Sequence, residues 1–191
     1  MKTRESGMPD ETTWTGFFDP VSILTRLGLT AHCRDVVEFG CGYGTFTIPA
    51  ARIARGTVHA IDIDPAMIEA TRTRAATAGL SNVRTHLCDF VEDGTGLPTS
   101  SADYAMLFNI LHAEQPVALL REAHRVLTTG GQLSIIHWIH DASTPRGPSM
   151  DIRPRPDQCQ AWAQEAGFTL LDPGIVDLPP YHYGMVLQWS S

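Results

Sequence analysis

The hydrophobic positions fall into short apolar runs separated by longer amphipathic stretches. Asp35-Val-Val-Glu-Phe39 ends in glycines, and Thr57–Asp62, Val83–Leu87, Asp103–Phe108 and Gln132–Trp138 repeat the pattern. Runs of this length predict strands. Between them, Thr45–Ala54 suits a helix. Asp64-Pro65 supplies an N-cap followed by proline at the first helical position, which predicts a helix to about Ala78 with Gly79 as its stop. Pro116–Leu127 sets Val117, Leu120, His124 and Leu127 near one face and ends before Gly130-Gly131, and Asp157–Ala166 stops at Gly167. Phe168–Val176 and Tyr183–Trp189 flank Leu178-Pro-Pro180, a link too short for a helical crossover, so these two strands should pair antiparallel.

Strands alternating with helices imply an α/β fold, a mostly parallel sheet covered on both faces. Five βα steps followed by a hairpin are unlike two full mononucleotide-binding halves. Two stretches stand outside the rhythm. Met1–Leu29 precedes the first strand, with Asp19-Pro20 opening a short helix through Leu27, and His140–Pro156 is rich in proline and arginine. Both read as lid or rim material. The predicted organisation is a helical N-terminal extension over residues 1–30 and one domain over 31–191.

At 191 residues, a single domain is the natural expectation. With 43% hydrophobic and 18% charged residues the chain is not a disordered one. Apolar stretches such as Tyr104–Leu111 fall far short of the ~18 residues of a membrane span. Met1–Asp10 carries both signs of charge and no apolar centre, unlike a signal peptide. The net charge is −7, and Lys2 is the one lysine, so a nucleic-acid partner is disfavoured. Cys33, Cys41, Cys88 and Cys159 form no CxxC pair, which fits free thiols in a cytoplasmic protein.

The sharpest motif is Glu38-Phe-Gly40-Cys-Gly42-Tyr-Gly44, placed after a strand and before a helix. Glycine there permits positive φ and close approach of a ligand to the backbone. The dinucleotide fingerprint G-x-G-x-x-G/A is not met, because Thr45 holds the sixth position from Gly40 and the third glycine arrives one residue early. Glu38 ends the first strand, Asp62 ends the second and Asp89 follows the third, so all three carboxylates should ring one crevice at the carboxyl edge of the sheet. Asp62, 22 residues after Gly40, is suitably placed to grip ribose hydroxyls. Such a ring repels a pyrophosphate and attracts a cofactor carrying an ammonium and a sulfonium. At an effective dielectric near 20, an opposite charge at 4 Å is worth about 4 kcal/mol before desolvation.

Val36-Val-Glu-Phe-Gly-Cys-Gly-Tyr-Gly44 resembles motif I of the class I S-adenosylmethionine-dependent methyltransferases, and Val58–Ile68 resembles their second motif. Cys88-Asp89-Phe90, Ala102–His112 and Leu120–Leu133 resemble the adenine contact, the fourth-strand motif and the following helix-turn-strand. The resemblance spans roughly Asp35–Trp138. It implies a Rossmann-like, seven-stranded sheet with the last strand antiparallel, and S-adenosylmethionine as cofactor. It also implies that Gly40, Cys41, Gly42 and Gly44 line the methionine part and that Glu38 orders the loop and approaches the ammonium. Asp62 takes the ribose, Ile63 lies against the adenine, Asp89 accepts from its amine, Phe90 adds backbone contact, and Asn109 stands where a backbone carbonyl meets the ammonium.

Methyl transfer from a sulfonium is an in-line displacement in which alignment dominates, so no conspicuous catalytic residue is required. A base is needed where the acceptor must lose a proton. Among eight histidines, His112 follows the fourth strand and His137 and His140 end the fifth, so His112 or His137 is the candidate base. Tyr181, His182 and Tyr183 should reach the same rim. Arg146 and Arg153, with His140 and His182, are candidate contacts for a small, anionic acceptor, and Trp14, Phe17 and Phe18 are candidates for an apolar lid. No short HxH or HExxH spacing supports a metal among His112, His140 and His182. The alternatives are a protein that binds S-adenosylmethionine and acts through a partner, a thiol or metalloid methyltransferase using Cys88 and Cys159, and an NAD-dependent oxidoreductase, which Thr45 and the acidic ring disfavour. The acceptor atom and oligomeric state stay open.

Overall fold

A computed structural model describes residues 9–189. Its elements are α1 (Glu11–Thr15), α2 (Pro20–Arg26), β1 (Val36–Phe39), α3 (Thr47–Ile53), β2 (Val58–Asp62), α4 (Pro65–Thr77), β3 (Val83–Leu87), β4 (Ala102–Phe108), α5 (Pro116–Val126), β5 (Leu127–Trp138), α6 (Pro156–Glu165), β6 (Phe168–Leu178) and β7 (His182–Trp189). The seven strands form one sheet in the order β3-β2-β1-β4-β5-β7-β6, parallel except that β7 runs antiparallel to both β5 and β6.

The chain builds outward from β1 to β3, then restarts on the other side of β1 with β4. A crevice at the carboxyl ends of β1 and β4 follows from that reversal, and it is where an α/β sheet receives a ligand. One face of the sheet packs on α5 and α6 through Val37, Phe39, Ile61, Ala105, Leu107, Leu133 and Ile135. Residues one step out of phase, among them Val36, Val58, Tyr104, Met106 and Ile136, pack with α2 and α3 on the other face. Strand alternation alone sorts these side chains between the layers.

Caps set the helix boundaries as the sequence suggests. Asp64 accepts from the Ala66 amide at 2.8 Å with Pro65 at the first position of α4, and Asp19 caps α2 with Pro20 in the same role. Two differences from the sequence reading matter. The β3–β4 crossover is a loop packed on the α5/α6 face through Cys88, Phe90, Val91 and Leu97, so the steps with helices number four. The extension also has two parts: Leu24, Leu27 and Leu29 of α2 and its exit are buried in the core, and Tyr104 donates to the Leu27 carbonyl at 2.7 Å. Only the segment before α2 overhangs the crevice. Among the described residues no helix is long and apolar enough to cross a membrane.

Candidate active site

The strand ends open on a cavity of about 320 Å³, and Glu38, Asp62 and Asp89 all line it. Glu38 is 2% exposed and takes a hydrogen bond from the Thr47 hydroxyl. Burial, with Asp62 adding to it, pushes its carboxyl up to about 8, so near neutral pH it holds a proton. Asp62 is fixed by two amides, Gly42 at 2.8 Å and Asp64 at 3.0 Å, and burial raises its carboxyl above the usual range. Asp89 accepts from the amides of Val91 at 3.1 Å and Glu92 at 3.3 Å, so it shapes its own turn while facing the cavity. Ile63, Phe90 and Val91 complete this side.

The glycine loop reaches the cavity through Gly40, Cys41 and Gly42, at φ of 75° and 53° for the two glycines. Gly44 is different. A Cβ there would fall 2.9 Å from Thr71 Oγ1 on α4, and the residue does not line the cavity. Its glycine lets loop and helix meet, which corrects the reading of Gly44 as a cofactor contact. Asn109 sits at φ 57°, its amide donating to the Ile136 carbonyl at 2.7 Å. Both polar atoms of its side chain, and Thr45 Oγ1, are buried without a hydrogen-bond partner among the described residues, and both residues line the cavity. Buried polar atoms need partners, so this wall fits a polar ligand. Thr45 was read only as a break in a fingerprint, and its hydroxyl is a feature the sequence did not signal.

The lining also has an apolar part that carries one arginine. Pro9, Trp14, Phe46, Phe108, Trp138 and Arg146 form it. The segment before α2 is latched to the glycine loop and α4: Tyr43 donates to the Pro9 carbonyl at 3.0 Å, and Glu11 of α1 pairs with Arg74 of α4 at 3.0 Å. Trp14 reaches the cavity, whereas Phe17 and Phe18 stand behind the wall, with ring centroids 5.3 Å from Trp138 and 5.1 Å from Phe46 respectively.

The histidines and arginines divide sharply. His112 lines the cavity, and its Nδ1 lies 3.4 Å from Nε2 of His137. Burial lowers the His112 imidazole to about 4, so it is neutral at physiological pH. His137 is fully buried on the face of β5 opposite Trp138 and does not line the cavity, so it cannot serve as base at the reacting methyl. His182, 2% exposed, is packed between Trp138 and Phe18 at ring separations of 4.2 and 4.6 Å, and it too is cut off from the cavity. His140 lines a second cavity, which shares the wall His112–Glu114 with the first, and its Nδ1 lies 2.7 Å from the Arg153 carbonyl.

Arg153, which lines the second cavity with His140, is a keystone of its own loop. Its guanidinium donates to the carbonyls of Pro148, Ile139, Asp141 and Arg146 and to the Thr144 hydroxyl, which uses its full set of N–H groups. Of the two arginines, Arg146 is the one on the cavity. The thiols lie apart: Cys41 is in the glycine loop, Cys159 is buried against Tyr183, Cys33 packs on the α2/α3 side, and Cys88 donates to the Gly94 carbonyl at 3.0 Å.

Residues 36–131 match the Methyltransferase domain family. Aklanonic acid methyltransferase DauC of Streptomyces sp. (strain C5) is 32% identical over 132 residues, covering 67% of this chain and 59% of that protein. The chain thus spans under two thirds of that relative's length. A solved SAM-dependent methyltransferase from Aquifex aeolicus superposes with a TM-score of 0.82 at 22% identity, over 94% of each chain. The [4+2]-cyclase SpnF superposes with a TM-score of 0.74 at 17% identity, over 89% of this chain and 79% of that one, and these two likenesses speak to fold alone. Because the family match runs from the start of β1 into β5, over the strands whose ends form the cavity, this chain belongs to the class I S-adenosylmethionine-dependent methyltransferases.

Proposed function

We propose that this chain transfers the methyl group of S-adenosylmethionine to a small, flat, largely apolar acceptor held between Trp14 and the end of β5. The observation that carries this reading is one continuous cavity with two unlike kinds of lining. Acids and loop backbone supply one kind, and Trp14, Phe46, Phe108 and Trp138 the other, with Arg146 and His112 also on the cavity. Cavities of a few hundred Å³, apolar with a few placed polar groups, are the form of small-molecule sites. The relative DauC is named for methylation of aklanonic acid, which supports a small acid as acceptor.

When bound, the cofactor supplies an electrophilic methyl on a positively charged sulfur. Glu38 and the backbone of Gly40, Cys41 and Gly42 hold its methionine end, with Asn109 beside them. Asp62 takes the ribose hydroxyls, and Ile63, Asp89 and Phe90 receive the adenine. The buried, proton-bearing Glu38 becomes a charge partner when an ammonium approaches and the proton leaves. Alignment of acceptor and methyl within near-attack distance can supply about 7–11 kcal/mol of barrier lowering, and the aromatic wall excludes water during the transfer.

The test is release of S-adenosylhomocysteine from purified protein against panels of small acids, phenols, amines and thiols, alongside titration calorimetry with S-adenosylmethionine. Micromolar binding with acceptor-dependent release supports the reading. Binding with no release on any panel points to a protein that acts through a partner, and no binding removes the proposal.

A further inference from the structure

We infer that Glu122 and Arg125 of α5 are positioning residues for the base of the cofactor. Together they clamp the β3–β4 loop, so that Asp89, Phe90 and Val91 meet the adenine in one fixed arrangement. This rests on the function proposed above and deepens it, naming how the same site tells adenine from another purine.

The need for a clamp follows from the topology. β3 is an edge strand, and the chain that leaves it reaches β4 without a helix. A crossover helix would satisfy its own backbone. A loop must find partners elsewhere, and segments held only by exposed bonds are the first parts of a fold to open. Yet Asp89, Phe90 and Val91, at the start of this loop, line the cavity. Groups that select a ligand must be held to within about 0.5 Å, which takes a supporting shell behind them.

The local bonds make a single turn. Asp89 takes the Val91 and Glu92 amides through its side chain and the Asp93 amide through its carbonyl at 2.9 Å. The Cys88 thiol closes the turn on the Gly94 carbonyl at 3.0 Å. From Thr95 to Ser101 the loop is held by α5. Glu122 Oε1 accepts from the Thr95 amide at 2.7 Å and from the Thr95 hydroxyl at 2.6 Å. Arg125 grips the same carboxylate with two prongs, Nε to Oε2 and Nη2 to Oε1, both at 2.7 Å. Its Nη2 also donates to the Leu97 carbonyl at 2.9 Å, and its Nη1 to the Thr99 hydroxyl at 3.2 Å. The carbonyls of Arg125 and Val126 then accept from the Ser100 and Ser101 amides.

This pair differs from the other ion pairs of the helices. The Glu122 side chain is 14% exposed, whereas both partners of Arg72–Glu69 and of Arg121–Glu165 lie open to water. Open pairs contribute little, but a sheltered carboxylate filled by a guanidinium fork, an amide and a hydroxyl is held in one orientation. Gly94 lets the loop backbone come up against it, since a Cβ there would lie 3.2 Å from Glu122 Oε1. Neither Glu122 nor Arg125 lines the cavity, so they reach the base only through the loop.

Calorimetry with S-adenosylhomocysteine and S-inosylhomocysteine, in which an oxo group replaces the adenine amine, tests this. The native protein should bind the adenine compound about tenfold more tightly or better, because Asp89 accepts from the amine and the oxo group has no proton to give. Glu122→Ala should bring the two affinities within about twofold of each other, by loosening the loop that carries Asp89. Glu122→Gln keeps an oxygen for Thr95 but loses the fork of Arg125, and its ratio should fall between. Leu187→Ala, a buried change on β7 away from the cavity, is the control: it should melt lower and keep the native ratio. A Glu122→Ala protein that melts lower yet keeps the native ratio overturns the clamp, as does equal loss of the ratio in Leu187→Ala. Where Glu122→Ala does not fold, Thr95→Val, which lacks only the clamped hydroxyl, should reduce the ratio about threefold or more, and an unchanged ratio overturns the inference. A native protein that binds both compounds alike refutes it and leaves the cofactor site standing. Binding of neither compound refutes it together with the function on which it rests.

Discussion

Replacing Glu38 by glutamine should stabilise the ligand-free protein above neutral pH while weakening its hold on S-adenosylmethionine. In the unfolded chain this carboxyl titrates near 4.5, and in the folded protein burial moves it to about 8. Between those values the folded state binds the extra proton. The stability it represents is full below 4.5 and is lost as pH rises through 8. The gap is about 3.5 pH units, and at 1.36 kcal/mol per unit it amounts to about 5 kcal/mol. Glutamine keeps an oxygen to accept from Thr47 and an N–H in place of the acidic proton, and it has no charge to desolvate. Thermal melts of both proteins from pH 5 to 9 should show the native curve falling until about pH 8, and the variant curve flatter and increasingly above it. At about 2–4 °C per kcal/mol for a chain of this size, the separation at pH 9 should reach roughly 10–20 °C. Calorimetry should show native cofactor affinity rising with pH toward 8 with proton release, and a weak, pH-independent affinity in the variant. A variant that melts below the native protein at pH 9, or that keeps the same slope, refutes the reasoning.

Gly44→Ala should cost about 1–3 kcal/mol, because it combines a φ of 75° with a Cβ placed 2.9 Å from Thr71 Oγ1. Gly79→Ala shares the positive φ but has nothing within 4 Å, so urea midpoints of the pair isolate the contact. Arg153→Met should lose about 2–4 kcal/mol and open the loop after β5 to trypsin at Arg146, with S-adenosylmethionine affinity unchanged, since the guanidinium serves backbone carbonyls there. Trp14→Ala should raise the acceptor KM several-fold and leave the melting temperature within about 2 °C, because α1 overhangs the cavity and buries no core residue.

The order of strands and helices was legible because each apolar run is short and each helix carries its own cap. The three acids were legible for a related reason: in a parallel sheet every strand delivers its last residue to the same edge. The errors share a different cause. Position at a strand end does not say which face a side chain takes. His137 and Trp138 are consecutive, yet the tryptophan lines the cavity and the histidine is buried beneath the other helix layer. His182 is a different case: opposite Trp138 in the ladder it shares that face, and the Trp138 and Phe18 rings cover it. Counting the period of two from Ile136 would have placed Trp138 in the site. No count would have found Arg153, whose long side chain folds back on a loop with no periodicity.

The glycine loop is poorly suited to a pyrophosphate for a reason that formal charge alone does not capture. Glu38 is largely uncharged in the empty protein, so the crevice is less negative than three carboxylates imply. The backbone supplies the stronger discrimination. A pyrophosphate in a dinucleotide fold rests on free N–H groups of the glycine loop and the helix that follows. Here Gly40 and Cys41 both donate to the Ile61 carbonyl at 2.9 Å, Gly42 donates to Asp62 at 2.8 Å, and Gly44 donates to the Cys41 carbonyl at 2.9 Å. Those four loop amides are already committed, one of them to Asp62. What the loop offers a ligand is therefore carbonyl oxygen and carboxylate, the partners of a cation. A buried carboxyl poised near neutrality adds to this, because its charge emerges when a cation stabilises it and stays latent otherwise.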